Sequence, residues 1–166
     1  MIGDLGLAQA VITQLAERGE SLAIAESLTG GLLSDAFVRV PGASAVVRGA
    51  IVAYATPLKA SLLGVPEALL AEHGAVHPVV ARSMAEGVRE ATSVDGRPAD
   101  VGVATTGVAG PEAQGEAPVG LVYVAVADAR GTQVREHRVA GDRPEIRARA
   151  VAAAMELLAE RVGSRE

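Results

Sequence analysis

The stretch AESLTGG, residues 25–31, sets a carboxylate, two hydroxyls and two glycines between two apolar runs. A serine in that setting is either a turn or N-cap hydroxyl or a nucleophile, and a nucleophilic serine needs a base to take its proton. The histidines offer no obvious local partner for Ser27. His73 lies near a helix end, His77 begins a helix, and His137 belongs to the charged run REHR. The other candidate base is Lys59, the only lysine among 15 Lys and Arg residues. Arginine keeps its proton in a protein, whereas a buried lysine can lose it. The neighbours of Lys59, TPLKASLLGV, are largely apolar, and desolvation there lowers a lysine pKa. Serine–lysine pairs are an established variant of the nucleophile–base arrangement. Tyr54, at the end of the preceding strand, is placed to relay a proton or to fix a substrate through its hydroxyl.

Two further loops leave strands, ATTGVAGP and AGDRPE, and offer backbone N–H groups, hydroxyls or a cation; of the three, AESLTGG and AGDRPE are suited to a phosphate or a developing oxyanion. Glycine-rich turns into helix N-termini leave backbone N–H groups unpaired and pointing outward. A Thr-Gly-Gly turn is more often structural than functional, because glycine relieves the backbone and threonine caps a helix. The chain has no G-x-S-x-G elbow, no S-x-x-K joining Ser27 to Lys59, no P-loop and no metal-ligand spacing. With no cysteine, thiolate catalysis and disulfides are excluded. On residues alone the reading stops at an α/β protein with an anion or acyl-transfer site.

The elements that must position these groups follow from periodicity. Residues 5–18 have helical spacing and end at Gly19, and SLAIAE reads as a short buried strand. GLLSDAFVRV reads as a helix stopped by Pro41-Gly42, and residues 45–55 as a strand ended by Pro57. A short helix is expected around PEALLAEHG and an amphipathic one over HPVVARSMAEGVREA. DVGVATTG and GLVYVAVAD are apolar strands, and TQVREHRVAG alternates like an edge strand. The last helix opens at Asp142, with Glu145 completing a capping box. The order αβα, β, αα, βββ, α predicts a three-layer α/β/α sandwich on a mostly parallel or mixed sheet. In open sheets of this kind ligands bind beyond the carboxyl ends of the strands.

A length of 166 residues suits one domain, and 49% hydrophobic residues with only 2% aromatics predict a core of Val, Leu, Ile and Ala. The net charge of -5 speaks against nucleic-acid binding. Asp4 and the lack of a basic n-region speak against a signal peptide. No apolar run reaches the roughly 18 residues of a membrane span, so a cytoplasmic setting is expected.

In order, the chain carries AESLTGG, VPGAS, Tyr54 with Lys59 five residues later, LLGVP, HGAV, TTGVAGP, APVGLVYVA and GDRPEIR. Together these resemble the C-terminal domain of the competence/damage-inducible protein CinA, a family that includes stand-alone nicotinamide mononucleotide deamidases. The resemblance covers residues 6–162 and implies a single domain over 1–166. It implies hydrolysis of nicotinamide mononucleotide to nicotinic acid mononucleotide and ammonia by a metal-free serine–lysine mechanism, without cofactor. By motif position, Ser27 is the nucleophile, Lys59 the base and Tyr54 their neighbour. Thr106 and Gly107 match the threonine-glycine of TGIAGP, and Arg143 matches the arginine of GDR. Glu26, Thr29, Gly30 and Gly31 are expected at the substrate, with N–H groups near 29–31 facing the oxyanion, and Arg143 is expected on the phosphate. The resemblance also implies a homo-oligomer.

The chain departs from the family pattern in five places: Leu28 for cysteine, Thr56-Pro57-Leu58 for a more polar segment, Thr105 for valine, His77 for serine, and a less glycine-rich loop over 112–117. A pyrophosphatase activity of the N-terminal domain of longer CinA proteins is not expected here. The competing expectation is a catalytically idle nucleotide- or protein-binding module in competence or DNA repair. Retention of Ser27, Tyr54 and Lys59 together favours the enzyme.

Overall fold

The computed structural model describes residues 5–164, so Asp4 lies outside the described residues. The chain runs α1 (Leu5–Arg18), β1 (Leu22–Glu26), α2 (Leu32–Val38), a 3-10 turn (Ala43–Ala45) and β2 (Val47–Val52). It continues with α3 (Thr56–Leu63), α4 (Glu67–His73), α5 (Pro78–Ala91), β3 (Val101–Gly107), β4 (Leu121–Asp128), β5 (Gly131–Arg138) and α6 (Arg143–Gly163).

The five strands form one sheet in the order β2-β1-β3-β4-β5. β1 pairs parallel with β2 and β3, and β4 pairs antiparallel with β3 and β5. All strands except β4 therefore point the same way, and the carboxyl ends of β1, β2, β3 and β5 share one edge. The sheet is mixed, as expected.

Side chains alternate across the sheet and build two cores. Leu22, Ile24, Val101, Val103, Val122, Val124 and Val126 meet α1, α2 and α6 on one face. Ala23, Ala25, Ala104, Tyr123, Ala125 and Ala127 meet α3 and α5 on the other. The second face is paved with small residues, so α5 lies close against it. A Cβ on Gly102 would stand 2.1 Å from the Ala85 carbonyl oxygen. A Cβ on Gly87 of α5 would stand 1.7 Å from the Leu63 carbonyl oxygen, so α3 is seated directly on α5.

α3 is the one α-helix absent from the sequence reading, which left residues 56–63 as a connection after Pro57. The reason is an inverted pattern. The buried residues of α3 are Lys59 and Leu63, one turn apart, while Leu58 and Leu62 are exposed. A periodicity search that treats lysine as outward cannot find such a helix. Pro57 sits in the first turn of α3, where a missing N–H costs nothing. The other expected elements are present with shifted ends. The strand expected over 45–55 is shorter, and the 3-10 turn precedes it.

Candidate active site

β1 ends at Glu26, and the next residues turn sharply into α2. The turn works because Gly30 and Gly31 take positive φ values of 56° and 98°. Gly31 is the N-cap and has no side chain to satisfy the first turn. The fully buried carboxylate of Glu26 does so instead. It accepts from the N–H groups of Gly31 (3.0 Å), Leu33 (3.1 Å) and Ser34 (2.9 Å). An anion at this end of α2 also suits the helix dipole. Thr29, buried beneath the turn, shares a 2.9 Å hydroxyl–hydroxyl bond with Thr105 of β3. That bond accounts for a threonine at position 105, where an apolar side chain would leave the Thr29 hydroxyl without it.

Ser27 sits on this turn, 8% exposed, with its hydroxyl on the α3 side of the sheet. Lys59 Nζ lies 3.0 Å from Ser27 Oγ and donates to the Ala53 carbonyl at 2.8 Å. Lys59 itself is 1% exposed. Burial disfavours its charged form and lowers its pKa from 10.5 to about 8. About a tenth of the amine is then neutral at pH 7, with a lone pair available to the serine proton.

The cleft above Ser27 has a volume of about 220 Å³. Its wall is built from Ser27 and Leu28 after β1, Tyr54 after β2, Gly107 to Gly110 at the end of β3, Glu112, Gln114, and Arg143 at the start of α6. The three loops singled out in the sequence thus meet at the shared carboxyl edge of the sheet. Arg143 spans the cleft: its guanidinium donates to the Gly110 carbonyl (2.6 Å) and to the Tyr54 hydroxyl (2.8 Å). The α6 start that carries it is held by the expected capping box between Asp142 and Glu145.

Of the expected site residues, Ser27, Tyr54, Gly107 and Arg143 line the cleft, and Lys59 lies behind Ser27. Tyr54 meets Arg143 rather than Lys59. Glu26, Thr29, Gly30, Gly31 and Thr106, also expected at the substrate, have hydrogen-bond partners within the fold. Glu26 caps α2, Thr29 bonds Thr105, and Thr106 donates to the Ala75 carbonyl (2.7 Å) between α4 and α5. The N–H groups of Gly30 and Gly31 are taken by the Ser27 carbonyl and Glu26, so they do not face a substrate oxyanion.

Sequence reasoning missed Glu112 and Gln114 as cleft residues, and it missed Arg147. From α6, Arg147 donates through Nε to the Leu28 carbonyl (2.8 Å) and through Nη2 to the Thr29 carbonyl (2.9 Å). Its position four residues after Arg143, on the same helix face, was the available signal.

The family described as CinA C-terminal domain matches residues 4–162. The chain belongs to the CinA C-terminal domain family. A CinA-like protein of Frankia casuarinae is 49% identical over 155 residues, covering 93% of this chain and 35% of that protein. A CinA-like protein of an Anaeromyxobacter species is 50% identical over 149 residues, with 89% and 35% covered. The chain therefore spans about a third of the length of these CinA relatives. Among solved structures, the competence/damage inducible protein CihA from Agrobacterium tumefaciens superposes with a TM-score of 0.88 at 36% identity, covering 98% of this chain and 97% of that one. A competence damage-inducible protein A from Klebsiella pneumoniae gives 0.88 at 31% identity, with 98% of each chain covered. The fold of these structures is thus the fold of this chain over 98% of its length. Among the described residues, no helix is long and apolar enough to cross a membrane.

Proposed function

We propose that this CinA-family domain is an amidohydrolase that converts nicotinamide mononucleotide and water to nicotinic acid mononucleotide and ammonia. The observation that carries the reading is the 3.0 Å approach of a buried, weakly basic lysine amine to a serine hydroxyl at the floor of a cleft. Neutral Lys59 takes the Ser27 proton as Oγ attacks the carboxamide carbon. The Ala53 carbonyl holds one N–H of the amine and so keeps its lone pair on the serine side. The resulting ammonium returns its proton to the amide nitrogen, which leaves as ammonia and gives an acyl-enzyme on Ser27. Water then attacks the acyl carbon, Lys59 takes its proton, and the same proton restores the serine hydroxyl as the acid departs. No metal enters these steps.

The substrate class draws on the family resemblance and on the rim of the cleft. Arg143 uses only two of its guanidinium donors on Gly110 and Tyr54, which leaves donors for a phosphate. Arginine's planar fork matches phosphate geometry.

The test is ammonia release from nicotinamide mononucleotide by the wild type and by Ser27→Ala, with a chelator present. The reading requires turnover by the wild type and its loss in the variant. A folded wild type without turnover would overturn it and favour a nucleotide- or protein-binding module.

A further inference from the structure

The turn that carries Ser27 is held from two sides by opposite charges. On one side the Glu26 carboxylate gathers the N–H groups of Gly31, Leu33 and Ser34. On the other, the Arg147 guanidinium gathers the carbonyls of Leu28 and Thr29, the two residues that follow the serine. Arg147 is half-buried and does not line the cleft. Among the described residues no carboxylate forms an ion pair with it, so its charge acts on the turn. Gly30 makes the approach possible: a Cβ there would stand 3.2 Å from Arg147 Nη2.

The geometry points to Arg147 as the positioning residue for the nucleophile. This inference rests on the reading of Ser27 as nucleophile. A peptide unit is planar and, for Leu28–Thr29, trans, so fixing the Leu28 carbonyl on α6 directs the Thr29 N–H to the opposite side. Two bonds from one rigid fork fix two consecutive peptide planes. They keep both carbonyl oxygens, which would repel a developing oxyanion, on the α6 side of the turn. They also tie the Ser27 turn to the helix that carries Arg143, so nucleophile and cleft rim are referenced to one element. With Arg147 removed, Glu26 still holds the α2 end of the turn, but the peptides next to Ser27 lose their anchor. The 3.0 Å register of Ser27 on Lys59 then loosens.

The test compares wild type, Arg147→Ala and Arg147→Lys, with two readouts. The first is steady-state turnover of nicotinamide mononucleotide, with and without added guanidinium ion at concentrations that leave the wild type unaffected. The second is the titration of Lys59 by NMR, where the single lysine gives one side-chain signal. Arg147→Ala is expected to lose about 100-fold in kcat, the scale of a misplaced catalytic group, with KM changed little. Guanidinium is expected to restore part of kcat, and the Lys59 midpoint is expected to rise toward 10.5 as water reaches the loosened pair. Arg147→Lys keeps the charge without the fork and is expected to recover only part of kcat. Unchanged kcat with an unchanged Lys59 midpoint would overturn the inference. So would a loss of activity that merely tracks the folded fraction and does not respond to guanidinium. If the wild type releases no ammonia, the amidohydrolase reading fails instead. The Lys59 midpoint in Arg147→Ala then decides by itself: a rise supports Arg147 as the anchor of the pair, and no change overturns it.

Discussion

Replacing Lys59 by methionine should stabilise the protein at neutral pH while abolishing turnover. Burial lowers the Lys59 pKa from 10.5 to about 8, which corresponds to a folding penalty of about 3 kcal/mol when both states are protonated. The sign follows from proton counts. Between these two values the unfolded chain binds the extra proton, so stability rises with pH there, and the penalty is fully present below pH 8. Methionine fills similar space without charge but leaves the Ala53 carbonyl without its donor, at a cost of about 1–3 kcal/mol. At pH 7 the variant should therefore be about 0–2 kcal/mol more stable than the wild type. Integrating the titration of the lysine alone, the advantage should shrink by about 2.5 kcal/mol between pH 7 and pH 10. The assay is urea denaturation followed by far-ultraviolet circular dichroism, since the chain has no tryptophan. The same shift matters for catalysis. At pH 7 about one lysine in ten is neutral, against about three in ten thousand for an unperturbed amine. The kcat/KM of the wild type should accordingly rise with pH through a midpoint near 8. A stability difference that stays constant with pH, or a Lys59 midpoint near 10.5, would refute the reasoning.

Arg143→Ala should raise KM for nicotinamide mononucleotide by about 10- to 100-fold, the worth of a charge-assisted bond, and leave the nucleoside lacking the phosphate unaffected. Comparing kcat/KM for the two compounds checks this. Glu26→Gln should destabilise the fold by about 2–4 kcal/mol, because an amide cannot accept the three N–H bonds made by the carboxylate. The midpoint of a denaturation curve reads it directly. Gly87→Ala places a Cβ 1.7 Å from the Leu63 carbonyl, so α3 must shift. Stability should fall by about 1–3 kcal/mol, and kcat should fall by more than the loss of folded protein explains.

Much of the architecture was legible because burial writes a period into the sequence. β1 and β4, buried on both faces, read as unbroken apolar runs, and the α6 capping box is spelled by Asp142 and Glu145. α3 was not legible, because its inward stripe begins with a lysine and its leucines face out. The same inversion that hid the helix marks the site, since a lysine is buried where an apolar side chain would be more stable. Ser27 and Lys59 were legible as types and by family resemblance. Their partners were not. Glu26 adjoins the serine and looks like a substrate contact, yet its carboxylate turns back onto the start of α2. Thr106 stands in a motif beside Gly107, but its hydroxyl is taken by the Ala75 carbonyl between α4 and α5 and does not line the cleft. Arg147 acts across 119 residues of sequence on the Leu28 carbonyl, a contact that only the packing of α6 creates.

The central claim is that Ser27 forms an acyl-enzyme with Lys59 as its base. The most direct measurement is intact-protein and peptide mass spectrometry on enzyme quenched with acid during turnover of nicotinamide mononucleotide, with and without hydroxylamine. The account predicts an adduct of the nicotinoyl nucleotide confined to the peptide bearing Ser27, and diversion of product to the hydroxamate. Product formation with no adduct and no hydroxamate, or an adduct on any other residue, would contradict it.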